Sequence, residues 1–227
     1  MQFIRRHWYD LGLALAVVAV VWALLGHLRT VQLILLLNFA VLTLHQFEEY
    51  GWPGGFPWIM NEVIRPRGGP ADRYPLNQNN AFFINVVLAW PFYLIPVFFP
   101  DVVWFGLAPT LFGLGQFIDH GVVINRKLKS LYNPGLVAVV LGHVPVGIWY
   151  LVEVYSKSMI TLWDWVFAVV YIAGFIVVGM LTIGFRLLAD KDSLYPFAPE
   201  EMARFDPRRR LAQIRTAGTP GRYGRDA

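Results

Sequence analysis

At 227 residues, 56% hydrophobic and 16% aromatic, the chain carries only 15% charged residues, where an ordinary soluble domain carries roughly 25%. Its apolar residues are gathered into long runs, which excludes a soluble domain and points to an integral membrane protein. There is no cysteine, so disulfides and thiolate metal sites are excluded, and the formal charge of +4 comes from basic residues that flank apolar runs, which gives no reason to expect a nucleic-acid partner.

The fold class read from these runs is all-α, a polytopic membrane helix bundle of about six transmembrane helices, each needing roughly 20 mostly apolar residues. The first span is placed at 10–28, after Arg5-Arg6. It resembles the apolar part of a signal peptide, but Arg29-Thr30-Val31 follows in place of a small-x-small cleavage site, so it is read as a retained helix. The second is placed at 31–50, and Thr30 separates the pair. The longest connection follows, Gly51–Gln78, with the run Trp52-Pro53-Gly54-Gly55-Phe56-Pro57-Trp58-Ile59-Met60. That run suits either a segment lying in the membrane interface, where Trp prefers to sit, or a plain turn-rich loop. The remaining spans are placed at 79–99, 102–124, 133–155 and 160–188, broken by Pro100-Asp101 and by Ser156–Ser158. No internal repeat is visible.

Six spans put both termini and the connections after the second and fourth helices on one side. Of the 19 Lys and Arg residues, all but Arg29 and Lys157 fall on that side. The positive-inside rule then predicts a multi-pass protein with both termini cytoplasmic. The chain divides into a six-helix transmembrane domain, 1–190, and a basic cytoplasmic tail, 191–227, containing Arg208-Arg209-Arg210. The tail reads as flexible and able to touch anionic headgroups.

Polar residues converge in this topology. His45, Glu48 and Glu49 end the apolar stretch Val31–Leu44. Ionised groups at membrane depth cost at least a few kcal/mol each and mark pathways or reactive sites. Spacings of i,i+3 and i,i+4 put all three on one helix face. Asn77, Asn79, Asn80 and Asn85 begin the third span, Gln116, Asp119 and His120 approach the end of the fourth, and Asn133 opens the fifth, with His143 deeper. One pocket is expected to hold His45, Glu48, Glu49, His120 and Asn85, with Asn79 and Asn80 at its rim. Plainer readings are preferred for the others. Asn38 and Gln116 suit hydrogen bonds between helices. Asn133 suits a helix cap before Pro134. His143 suits repair of a helix kinked at Pro145. Asp119 is as well explained by pairing with Arg126 as by ligation.

His45-x-x-Glu48-Glu49 resembles the motif that names the HXXEE-domain proteins, a mostly bacterial group of membrane proteins. The blocks His7-Trp8-Tyr9-Asp10, Leu44–Tyr50, Pro53–Pro57, Asp72–Asn77, His120 and Tyr132-Asn133-Pro134-Gly135 carry the same resemblance, up to about Phe197. The family has no established activity. The resemblance implies that His45, Glu48, Glu49, an asparagine group and His120 belong to one site, and it implies a bacterial inner membrane. Asp119 and His143 lie outside that pattern, and Asn79/Asn80 with Asn85 is offset from its Asn-x-x-x-Asn.

Two histidines with one or two carboxylates match a divalent transition metal, Zn, Fe or Mn. The expected ligands are His45, Glu48, Glu49 and His120. Glu48, Glu49 and Asn85 are the expected catalytic groups, with Asn85 orienting a ligand. A di-iron carboxylate site would want Glu-x-x-His from each of two helices; this chain has the reverse order, once. No His-Glu-x-x-His zinc-protease motif occurs. The function read from these residues is a membrane-embedded enzyme acting on a membrane lipid or apolar small molecule. The alternatives are a metal-free acid–base isomerase or lipid-binding protein, and a non-enzymatic accessory subunit with a membrane-protein partner.

Overall fold

The computed structural model describes residues 2–203; the tail arginines from Arg204 onward lie outside the described residues. Among the described residues there is no strand. Among these residues six helices are long and apolar enough to cross a membrane: Phe3–Leu25, Thr30–Tyr50, Gln78–Phe98, Val103–Leu128, Leu136–Ser156 and Leu162–Leu187. They fall where the apolar runs predict them, with one offset. The first span begins well before residue 10, because His7-Trp8-Tyr9-Asp10 continues the helix through a kink at His7 (φ −122°, ψ 17°). Trp8 and Tyr9 are buried there against Tyr50.

The ends of the spans are set by local hydrogen bonding, since the first four N–H groups of a helix have no partner within it. Asn77 opens the third span: its Oδ1 accepts from the N–H groups of Asn79 (2.9 Å) and Asn80 (3.1 Å), and Asn80 Oδ1 accepts from Asn77 N–H at 2.7 Å. Asp164 does the same for the sixth, accepting from the N–H and hydroxyl of Thr161. At the opposite end of the bundle from the site, Arg29 and Asp101 tie two connections with a bidentate pair at 2.9 and 3.0 Å.

The second span is the centre of the bundle, with 61% of its most apolar stretch buried against 11% for the sixth. The first packs along it, and it also meets the third, fourth and fifth. The sixth packs on the fourth and exposes Leu162, Trp163, Val166, Phe167, Val169 and Val170. Such an apolar exterior is what lipid requires of a spanning helix.

Four of these spans contain wider, π-helical turns: Phe83–Ala89, Phe117–Ile124, Val139–His143 and Phe175–Leu187. Two of them end shortly before a proline, Pro91 and Pro145. Proline has no N–H and its ring crowds the carbonyl four residues back, so a wider turn relieves both.

The connection Gly51–Gln78 is folded onto the bundle. Gly54 and Gly55 take positive φ (71° and 97°) and turn the chain into a short helix, Phe56–Ile59, continued by Met60–Ile64. Phe56 and Ile59 are buried, whereas Trp52 is 77% exposed. Asn61 holds the connection in shape, donating to the carbonyls of Ala71 (2.7 Å) and Leu76 (2.9 Å) and accepting from Leu76 N–H (2.8 Å). The described part of the tail returns to this layer: Gln78 N–H donates to Tyr195 O, Phe197 N–H donates to Asp72 O, and the Phe197 ring is buried.

Candidate metal centre

The second span supplies two groups to the site. His45 and Glu49, one turn apart on a regular helix, face the fourth span, where His120 sits in the wider turn Phe117–Ile124. All three are buried. His45 Nε2 and His120 Nε2 lie 3.6 and 3.5 Å from Glu49 Oε1, and the three ligand atoms are all within 4.8 Å of one another. Those two separations are long for hydrogen bonds. Ligand atoms each about 2.1 Å from a common ion at a tetrahedral angle stand about 3.4 Å apart, close to the two separations from Glu49 Oε1.

Each imidazole is aimed by a bond at its other nitrogen. His45 Nδ1–H donates to the carbonyl of Gly135 at 3.1 Å. His120 Nδ1–H donates to Asn133 Oδ1 at 2.6 Å, and Asn133 Nδ2 returns to His120 O and to Asn125 Oδ1, both at 2.7 Å. Both rings therefore turn Nε2 and its lone pair toward Glu49. Neutral histidines fixed through Nδ1 by carbonyl or amide oxygens are the usual support of metal-binding imidazoles. The Phe56 ring stacks on His120 at 6.0 Å between centroids and closes this side of the site.

Gly135 fits between the two histidines. Its φ of +100° is a conformation that favours glycine. A Cβ there would lie 2.6 Å from His120 Cε1 and 2.7 Å from His45 Cε1. The helix of the fifth span starts after it, at Leu136. Asn133 is thus not the cap the sequence predicts; it orients His120.

Glu48, expected beside Glu49 in the pocket, points elsewhere. Its oxygens accept from Ala138 N–H (2.8 Å), Val137 N–H (3.2 Å) and the Tyr132 hydroxyl (3.0 Å). A carboxylate from the second span thereby caps the start of the fifth, where unpaired N–H groups and the helix dipole favour negative charge. Burial, and then the adjacent Glu48 charge, raise the Tyr132 phenol above its ordinary range, so it keeps the proton it donates.

The triad borders a cavity of about 280 Å³. Its walls include Leu42, Phe112, Phe175, Ile176 and Met180, and Arg65 and Asp119 line it as well. Asn85 is in the wall as expected, but its bonds run to Gln46, to Ala81 O and to Tyr50 rather than into the triad. Gln46 in turn accepts from Trp90 Nε1 at 2.8 Å. Of the two residues placed at the rim, Asn80 is fully buried and serves the start of the third span, donating to Pro75 O and Gly184 O. Asn79 gives its N–H to Asn77.

His143, read from sequence as helix repair, lines the same cavity, with its ring 5.6 Å from that of His45. The signal for it was Asn38. That residue lies two turns before His45 on one face, and it accepts from His143 Nδ1–H at 3.3 Å.

Fold and site together define a class: an all-helical protein with helices long and apolar enough to cross a membrane and a buried His/Glu group that could hold a metal ion. Residues 36–150 match the model of a family described as proteins of unknown function with an HXXEE motif, and the chain belongs to that family. No curated protein and no solved structure matches it.

Proposed function

We propose that this chain is a metal-dependent membrane enzyme whose site, on the cytoplasmic side of a bacterial inner membrane, acts on an apolar or lipid-like substrate. The observation that carries this reading is the convergence of His45 Nε2, His120 Nε2 and Glu49 Oε1, each imidazole fixed through Nδ1, beside a largely apolar cavity. Two nitrogens and one carboxylate suit zinc, iron or manganese; His45, His120 and Glu49 would hold such an ion, and it would supply Lewis-acid chemistry beside the cavity. The chain's own part is to hold the ligands, exclude water with Phe56 and the cavity walls, and receive the apolar body of the substrate. The reversed reading, metal-free proton transfer by Glu49, and an accessory role beside a membrane-protein partner are the outcomes that the next experiment separates.

Elemental analysis of purified protein is expected to give about one transition metal ion per chain. His45→Ala and Glu49→Ala should each lower metal affinity by at least a hundredfold while the helical content stays unchanged, because the apolar spans and not the site hold the bundle. Wild-type protein that turns over a lipid substrate without metal would transfer the role to Glu49. Protein with neither metal nor turnover would leave the accessory reading.

The Lys and Arg distribution supports cytoplasmic termini. The chain has no cysteine of its own, so Lys157→Cys and Lys127→Cys provide clean probes. In intact cells an impermeant maleimide should label position 157, and position 127 only after permeabilisation. The opposite pattern would invert the topology and move the site to the outer face.

A further inference from the structure

Of the five buried polar side-chain atoms that have no hydrogen-bond partner among the described residues, three belong to neighbouring side chains: Asn38 Nδ2, Tyr93 Oη and His143 Nε2. Their residues are 2%, 1% and 1% exposed. Folded proteins leave few such atoms unpaired, and within a bilayer core water is not at hand to serve them. Tyr93 and His143 both line the cavity. His143 stands seven residues into the fifth span, about 10 Å along it from Leu136, so this end lies deeper in the bundle than the triad.

The unpaired atoms are complementary. Because Asn38 Oδ1 takes the hydrogen on His143 Nδ1, His143 Nε2 presents a lone pair and accepts. Tyr93 Oη carries a hydrogen to donate. Gly113 leaves room for both: a Cβ there would lie 2.6 Å from His143 Nδ1 and 3.2 Å from Tyr93 Oη. The two rings stand 5.9 Å apart.

We propose that His143 and Tyr93 form a hydroxyl-binding subsite at the deep end of the cavity, and that the ligand is an alcohol whose remaining body is apolar. A hydroxyl donates to one partner and accepts from the other. A ketone or ether only accepts and leaves His143 unpaired, and a hydrocarbon leaves both groups unpaired. Phe112, Phe175, Ile176 and Met180 provide the walls for the apolar body. This assignment rests on the reading that the cavity holds the substrate, and it names the class of that substrate.

The test uses a diazirine-bearing long-chain primary alkanol and the matching alkane, with wild-type protein, Tyr93→Phe and His143→Phe in lipid nanodiscs. Photolabelling is mapped by mass spectrometry, and metal content is measured in the same samples. The alkanol should label cavity peptides of the wild type in preference to the alkane. That labelling should fall by about three- to tenfold in Tyr93→Phe, as expected for one lost hydrogen bond, and at least as far in His143→Phe. Alkane labelling and metal content should not change. Tyr93→Phe removes only an unpaired hydroxyl, so its melting temperature without alkanol should equal or exceed that of the wild type. Equal alkanol labelling of wild type and Tyr93→Phe would overturn the subsite and assign the recess to water. Wild-type protein that lacks metal but retains a Tyr93-dependent preference for the alkanol would overturn the metal reading and leave the subsite standing.

Discussion

Replacing Gly135 with alanine is expected to abolish metal binding. Two effects act together. The backbone there has φ +100°, and a side chain in that region costs on the order of 1–3 kcal/mol. The added Cβ would also fall 2.6 to 2.9 Å from atoms of His120 and His45. These are buried rings, each fixed at Nδ1, so they can yield only by giving up those bonds. One or both would swing away, and His45 would lose the Gly135 carbonyl that sets its direction. Metal titration should show at least a hundredfold loss of affinity, with the protein still inserted and helical. Wild-type affinity in Gly135→Ala would show that the histidines are not held as described.

The two adjacent glutamates are expected to behave oppositely. Glu49→Gln should lose the metal with little change in thermal stability. Glu48→Ala should keep the metal and destabilise the fold. It strips the acceptor from two backbone N–H groups and the Tyr132 hydroxyl; these donors are only part-buried, so each lost bond should cost on the order of 1 kcal/mol. A thermal unfolding series read beside metal content separates the two roles. Metal lost from Glu48→Ala at a temperature where it remains folded would return Glu48 to the ligand set.

The apolar runs and their breaks sufficed to read an all-helical bundle with six spans, because the bilayer's length requirement leaves few alternatives. Depth along each span could also be read, and it put His45, Glu49 and His120 at one level. Rotation about the helix axis could not. Glu48 and Glu49 are adjacent, about 100° apart around the helix, and either could face the fourth span until the packing chose. Asn133 looks like a cap because Pro134 follows it, yet its partner, His120, lies on another span. His143 looked isolated for a related reason. The turn that aims it is π-helical, and a depth count that assumes regular winding does not report where such a residue points.

The wider turns have a genetic consequence. Asn85, His120 and His143 each sit inside one, and a π turn is a regular helix with a residue to spare. Deleting a single codon between 117 and 124 would take out the spare residue and let ordinary winding resume, leaving the flanks facing much as before while the residues of the turn itself are re-aimed. The reading frame would survive, hydropathy would barely change, and the helix would still cross, but His120 would be aimed at lipid or at a neighbouring wall. Part of what this chain encodes is therefore carried by the length of its helices, and a scan that only exchanges one letter for another would pass over it.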